Sequence, residues 1–305
     1  MAGKRQRRGK RQPIRFGGVD VIQIGTHRHF LGDFYHYFLD SSWITVLLVL
    51  LAVFAVVNMA FALAYLECGN CIENARTGSF EDAFFFSVQT LATIGYGKLV
   101  PRGTAANLLV AFEAVSGLLG FAIVTGLAFA KFSRPTARVM FSKYAIVLPR
   151  DGVESLQFRM GNERSNRIVE AQIHVSYARQ EVTVEGESIR RISDLKLVRD
   201  RSSVFAISWT ALHQISADSP LYGETSESLI EKQAEIVVSL VGIDETLAQT
   251  IHARHAYSAA DLAFGARFVD IMAITPDGHP SVDYTHFHEI EYLEPEARRK
   301  QARSR

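Results

Sequence analysis

Thr93-Ile94-Gly95-Tyr96-Gly97 decides how this chain is read, because of where it lies. A short apolar run, Ala83 to Val88, precedes it, and a long apolar segment stands on either side. Glycines at alternate positions permit dihedrals closed to most residues, so successive backbone carbonyls can point the same way. A row of such carbonyls replaces the hydration shell of a potassium ion. Five residues alone are a weak signal. Between two candidate membrane spans they read as a potassium selectivity filter, with K+ held by Thr93, Ile94, Gly95 and Tyr96. Thr93 adds a hydroxyl oxygen at the inner end, and Tyr96 is expected to brace the loop from behind.

Trp43 to Leu66 contains no charged residue. At a rise of about 1.5 Å per residue it crosses a hydrocarbon core of about 30 Å. The second apolar segment, from about Asn107 to Phe132, has Glu113 as its one interior charge. Ala83 to Val88 is too short to span and reads as a re-entrant helix. Non-helical backbone at membrane depth is tolerated where protein buries it or where it lines a cavity, which suits a filter.

The net charge of +1 over 305 residues hides a segregated distribution. Lys4, Arg5, Arg7, Arg8, Lys10, Arg11 and Arg15 crowd one end, and Arg298, Arg299, Lys300, Arg303 and Arg305 the other. Both runs are expected to be disordered, solvated tails rather than nucleic-acid-binding arms. Arg28, Lys131, Arg134, Arg138 and Lys143 flank the spans on the side away from the filter. The excess of positive charge therefore assigns both termini to the cytoplasm and the loop from Glu67 to Asp82 to the outside. A cleaved signal peptide is not expected, since the basic run lies far upstream of the apolar segment. Cys68 and Cys71, the only cysteines, fall in that outer loop. Small turn residues or a local disulfide are preferred there over redox chemistry or a metal site.

From Tyr144 onward the pattern changes to period two. Ala171, Ile173, Val175 and Tyr177 fall on one face, and Gln172, His174 and Ser176 on the other. Strand-like runs recur at Ser155–Met160, Glu181–Val184, Leu195–Val198, Val204–Trp209, Ala234–Val241 and Phe268–Ala273. Turn signals fall between them at Asp151-Gly152, Glu185-Gly186, Asp218-Ser219-Pro220 and Pro276-Asp277-Gly278. Many short strands at this spacing argue for a β-sandwich. No glycine fingerprint for nucleotides follows a strand. The ten histidines are scattered, and His252 and His255 read as structural rather than ligating. With no convergent nucleophile, base or metal cluster, an enzyme is not expected. Ser219 precedes a proline in a turn and lacks a nucleophile-elbow frame.

Two spans, a re-entrant filter and a β-sandwich together resemble the inward-rectifier potassium channel family, in its bacterial branch. The resemblance covers about Gly32 to Ile290. It rests on Phe84-Phe85-Phe86-Ser87-Val88-Gln89-Thr90-Leu91-Ala92 leading into the filter, and on Ala130-Lys131-Phe132-Ser133-Arg134-Pro135. In the soluble half it rests on Val169-Glu170-Ala171, Glu185-Gly186-Glu187, Asp218-Ser219-Pro220-Leu221-Tyr222 and Asp283-Tyr284-Thr285-His286-Phe287-His288. It implies a membrane α plus soluble β fold: two transmembrane helices with a re-entrant pore helix, then a cytoplasmic immunoglobulin-like β-sandwich. The implied divisions are a basic tail over 1–31, slide helix and pore over 32–135, sandwich over 136–292 and a second basic tail over 293–305.

The resemblance further implies a homotetramer in the bacterial inner membrane, conducting K+ passively, with no organic cofactor. One five-residue loop cannot surround an ion, whereas four copies about an axis can. Asp33 to Leu39 is similar to an interfacial slide helix, separated from the first span by Asp40-Ser41-Ser42. Phe129 matches a gating ring at the inner bundle, and Gly117 and Gly126 are candidate bend points, with close helix packing as the rival explanation. Lys131, Arg134, Arg138 and Lys143 match a collar that senses anionic phospholipids. Glu185 and Glu187 match positions lining a cytoplasmic pore, where carboxylates concentrate cations.

Three departures from the pattern matter. Phe121 stands where strong rectifiers carry a cavity carboxylate, which argues against strong block from that site by Mg2+ or polyamines. Glu113, nearer the filter, either attracts cations into the cavity or hydrogen-bonds near the pore helix. Gln89 and Leu99 stand where relatives place a glutamate and its basic partner, so the filter is expected to rest on a neutral scaffold.

Overall fold

The computed structural model describes residues 14–16, 19–21, 30–274 and 277–293. The basic runs at 4–11 and 298–305, Arg28 and Pro276 lie outside these. Within the stretch expected as a disordered tail, β1 (Ile14–Phe16) and β2 (Val19–Val21) form an antiparallel pair. Alternation of apolar residues with Arg15 and Asp20 favours that pairing over a solvated tail.

A helical unit ends at Arg134 and a β-rich unit continues from Pro135. The helical unit opens with α1 (Phe30–Asp40), which is wider than the expected slide helix. It stops at Ser41, and Ser42 caps α2 (Trp43–Glu67), its side chain accepting the Thr45 N–H at 3.1 Å. β3 (Ile72–Glu73) then leads through a loop to α3 (Phe80–Leu91), the re-entrant helix. After the filter come β4 (Val100–Pro101), which pairs with β3, and α4 (Gly103–Phe132). Cys68 and Cys71 are disulfide-bonded to each other, so neither is a free redox or metal-binding thiol.

The faces of α2 and α4 remain apolar even where this chain does not cover them. Leu47, Leu51, Leu118 and Ile123 are all exposed on a single copy. Helices apolar on every side require lipid or further protein around them. Inside the unit, Ala62, Tyr65, Ile72, Ala83 and Phe86 pack together, with Leu99 and Leu109 against them.

The β-rich unit is a two-sheet sandwich. Its strands are β5 (Val139–Phe141), β6 (Ala145–Arg150), β7 (Val153–Asn162), β8 (Ile168–Val182), β9 (Ser188–Asp194), β10 (Arg201–Phe205), β11 (Ser208–Gln214), β12 (Glu235–Asp244), β13 (Gln249–Ser258) and β14 (Leu262–Phe264). One sheet runs β10-β8-β12-β13, with β9 also on β8; the other runs β11-β7-β6-β14, with β5 also on β7. A short helix, α5 (Ser226–Glu231), precedes β12. The inner faces bury Phe158, Met160, Ile173, Val175, Tyr177, Ile236, Val238 and Leu240 in one core.

Several strand expectations are corrected. Val204–Trp209 is two strands, because the chain turns at Ala206-Ile207 and crosses from one sheet to the other. Leu195–Val198 makes only an isolated bridge, Leu197 to His213, although Leu195 and Leu197 are buried. Glu181–Val184 is the end of β8 and its turn. Phe268–Ala273 divides between β15 (Ala266–Phe268), paired with β18 (Ile290–Tyr292), and β16 (Met272–Ile274), paired with β17 (Pro280–Val282). His252 and His255 lie on β13, where residues three apart face opposite ways, and His255 stacks on Phe141 at 5.2 Å.

Candidate functional site

The site grows out of α3. Ser79 caps the helix by accepting the Asp82 N–H at 3.2 Å. Arg76 grips the first turn from outside, donating to both Asp82 oxygens at 3.0 and 2.8 Å and to Glu81 at 2.8 Å. Carboxylates at a helix start favour the dipole. The negative end of that dipole, at Leu91 and Ala92, falls where the filter begins. The chain then curls back on the helix, with Thr93 N–H donating to Thr90 O at 3.0 Å and Ile94 N–H to Gln89 O at 2.8 Å.

In the filter φ is positive at Thr93 (56°), Gly95 (59°) and Gly97 (80°), but not at Ile94 or Tyr96. This alternation of left-handed and ordinary residues is the kind of backbone that can turn successive carbonyls to one side. Glycine accepts it freely; Thr93 is held there against its preference, a device concentrated at functional sites. The filter is exposed on a single chain, Tyr96 at 75 %. The bracing expected behind Tyr96 therefore requires atoms from outside this copy. The side chains of Gln89 and Leu99 are half-buried, and Leu99 packs on the Tyr65–Phe86 cluster, an apolar setting in place of an ion pair.

On α4, Phe121, Thr125 and Phe129 recur at intervals of four, forming an exposed stripe. Phe129 is 72 % exposed and Phe121 76 %. α4 runs unbroken through Gly117 and Gly126. A Cβ built on Gly117 would collide with the Leu91 carbonyl oxygen, so this glycine lets α4 approach the end of the pore helix. Close packing accounts for it, whereas Gly126 is open on this copy.

Glu113 does not reach a cavity. It is fully buried against Ser87 on α3 and Tyr65 on α2, which corrects the cation-attracting expectation. Sequence reasoning missed Asn58, Tyr65 and Ser87, since their meeting is a long-range fact.

The expected lipid collar divides. The Lys131 ammonium donates to Phe38 O, Leu39 O and Ser41 O at 3.0, 2.9 and 2.6 Å, and lies over the Trp43 ring at 5.4 Å. An ammonium has three hydrogens, and all three are committed to the end of α1 rather than free for a phosphate. Arg134 pairs with Asp40 at 2.7 Å, both well exposed, an ion pair of the readily exchanged kind. Arg138 and Lys143 are exposed in the β-rich unit. Glu185 and Glu187 are exposed in the β8–β9 turn, and a hydrogen bond from Thr183 holds the Glu185 carboxyl below its ordinary value. Among the described residues, no group of three or more His, Cys, Asp or Glu could hold a metal ion.

A family model described as "Inward rectifier potassium channel C-terminal domain" matches residues 139–304, and one described as "Ion channel" matches 42–134. The chain is 46% identical to "Inward rectifier potassium channel Kirbac3.1" of Paramagnetospirillum magnetotacticum, over 90% of this chain and 93% of that relative. It is 32% identical to "G protein-activated inward rectifier potassium channel 3" of Homo sapiens, over 93% of this chain and 78% of the relative. Both matches run through the spans, the filter and the sandwich together. The chain belongs to the inward-rectifier potassium channel family.

Proposed function

We propose that four copies of this chain form a potassium-selective channel through which K+ moves down its electrochemical gradient. The alternating backbone of Thr93 to Gly97, set at the C-terminal end of a re-entrant helix between two spans, carries this reading. Carbonyls aimed to one side on each copy close into rings about a four-fold axis, and those rings replace the water around an ion. The exposed filter and the exposed apolar faces of α2 and α4 support assembly with further copies and lipid.

The ring of Phe129 side chains is the gate in this reading: four apolar rings at a narrow crossing expel water and stop ions. Phe121 offers no charge to Mg2+ or a polyamine, so rectification from the cavity is weak. Glu185 and Glu187 draw cations toward the cytoplasmic mouth. Arg134, Arg138 and Lys143 meet anionic phospholipid at the inner leaflet, each contributing about 1 kcal/mol. The channel sits in the bacterial inner membrane with both termini in the cytoplasm.

Flux into liposomes of purified protein tests this directly. Potassium uptake should exceed sodium uptake and vary with the fraction of anionic lipid. Equal uptake of the two ions, or none in any lipid, would overturn it.

A further inference from the structure

Four polar side chains meet between α2, α3 and α4, and their hydrogens can be counted. Asn58, Tyr65, Ser87 and Glu113 are 0, 1, 0 and 0 % exposed. The Tyr65 hydroxyl donates to Glu113 Oε2 at 2.6 Å. Glu113 Oε1 lies against Ser87 Oγ. Ser87 Oγ in turn stands 3.0 Å from Asn58 Oδ1, and Asn58 Nδ2 donates to Phe54 O at 2.7 Å. That last bond fixes the amide. Turned over, it would set Oδ1 against a carbonyl oxygen, and two acceptors repel.

Ser87 therefore faces two oxygens that can only accept, and a hydroxyl has one hydrogen. If Glu113 were ionised, one of those contacts would have no hydrogen. A carboxylate would also sit at membrane depth with no cation among its described partners, which is strongly unfavourable. A proton on Oε1 resolves both problems. Tyr65 then donates to Glu113, Glu113 to Ser87, Ser87 to Asn58, and Asn58 to the Phe54 carbonyl.

We infer that Glu113 is a neutral carboxylic acid that donates to Ser87, and that this directed relay positions the pore helix. It ties α3 to α2 and α4 at once. Ser87 lies two residues before Gln89, whose carbonyl holds the Ile94 N–H, so the filter's first turn hangs from the relayed segment. Gly117, one turn along α4 from Glu113, provides a further close approach of the same helix to α3. Glu113 is a positioning residue: it touches no ion and acts through α3.

The functional half of this inference rests on the conduction reading, and the spectroscopic half does not. Infrared spectra of wild-type protein in lipid at neutral pH should contain the carbonyl stretch of a buried protonated carboxyl group. The band should vanish in Glu113→Gln and shift in Tyr65→Phe, which removes the bond to its carbonyl. No such band in the wild type would overturn the inference, as would a band that neither substitution changes. In the flux assay, Glu113→Gln keeps an acceptor for Tyr65 and an N–H for Ser87, so potassium-over-sodium selectivity should stay within about twofold. Glu113→Ala strands Tyr65 and Ser87, and the loss should reach about tenfold. Equal damage from both substitutions would refute the neutral relay even in a working channel.

Discussion

Replacing Lys131 by Met should release α1 from α4. The wild-type ammonium makes three bonds of 2.6–3.0 Å to carbonyls at the end of α1. Hydrogen bonds to a charged group contribute about 1.5–3 kcal/mol each in isolation, and a cation at a helix C-terminus about 0.3–1 kcal/mol. The three bonds share one half-buried ammonium and are not additive, so about 2–4 kcal/mol is the expected loss. The lower figure is roughly 30-fold in the docked population. Met fills the aliphatic volume without the donors, so the substitution isolates the polar term. A spin label on Tyr37, an exposed position on α1, should become mobile in liposomes carrying Lys131→Met. Lys131→Arg should give an intermediate result, because a planar guanidinium cannot converge on three carbonyls as an ammonium does. The anionic-lipid dependence of flux should survive through Arg134, Arg138 and Lys143. An unchanged label together with a lost lipid response would refute this reasoning and return Lys131 to the lipid.

Three further outcomes follow from the geometry. Phe129→Asp should raise potassium efflux from closed channels by wetting the crossing, while Phe129→Leu should leave it low; equal flux from both would remove Phe129 from the gate. Gly117→Ala drives a methyl group into the Leu91 carbonyl, an overpacking of about 1–3 kcal/mol, and should lower potassium-over-sodium selectivity measured by reversal potential. If only open probability changed there, Gly117 would be a hinge after all. His213 donates from Nδ1 to Lys196 O at 2.8 Å and meets Ser219 Oγ at 2.7 Å, and burial holds its imidazole below the ordinary value. The ordinary value is about 6.5, so this stabilisation is present above that pH and is lost as pH falls through the lower folded value. The thermal transition of the full-length protein should therefore fall on acidification from about pH 7 to pH 5, less steeply in His213→Gln. An equal slope in the variant would count against His213 as the cause.

What the sequence discloses here is what is local. The spans follow from uncharged length, α3 from a short apolar run, and the filter from five adjacent residues. The long strand β8 follows from alternation that burial matches, with Ala171, Ile173, Val175 and Tyr177 inside. Alternation misleads where it continues across a turn: Phe205 and Trp209 are both buried, yet they belong to different sheets. β13 stays between loop and strand in the sequence because its inward face is weakly apolar, with small Ala253 and polar His255 between Ile251 and Tyr257. The relay is invisible in one dimension, since Glu113 lies 26 residues from Ser87 and 48 from Tyr65. Lys131 shows the same limit from the other side. Its position beside a span suggests a lipid ligand, and only the fold reveals the carbonyls that occupy it.

Ser41 and Lys131 stand 90 residues apart. During synthesis the end of α1 leaves the ribosome well before the ammonium that will cap it, by roughly 5–20 s at common elongation rates. Through that interval the carbonyls of Phe38, Leu39 and Ser41 must be hydrated at the membrane surface. The helix first met in the sequence is thus docked only after the second span has been inserted. A nascent chain halted before Lys131 would carry α1 undocked, so the first helix waits on the last turn of α4.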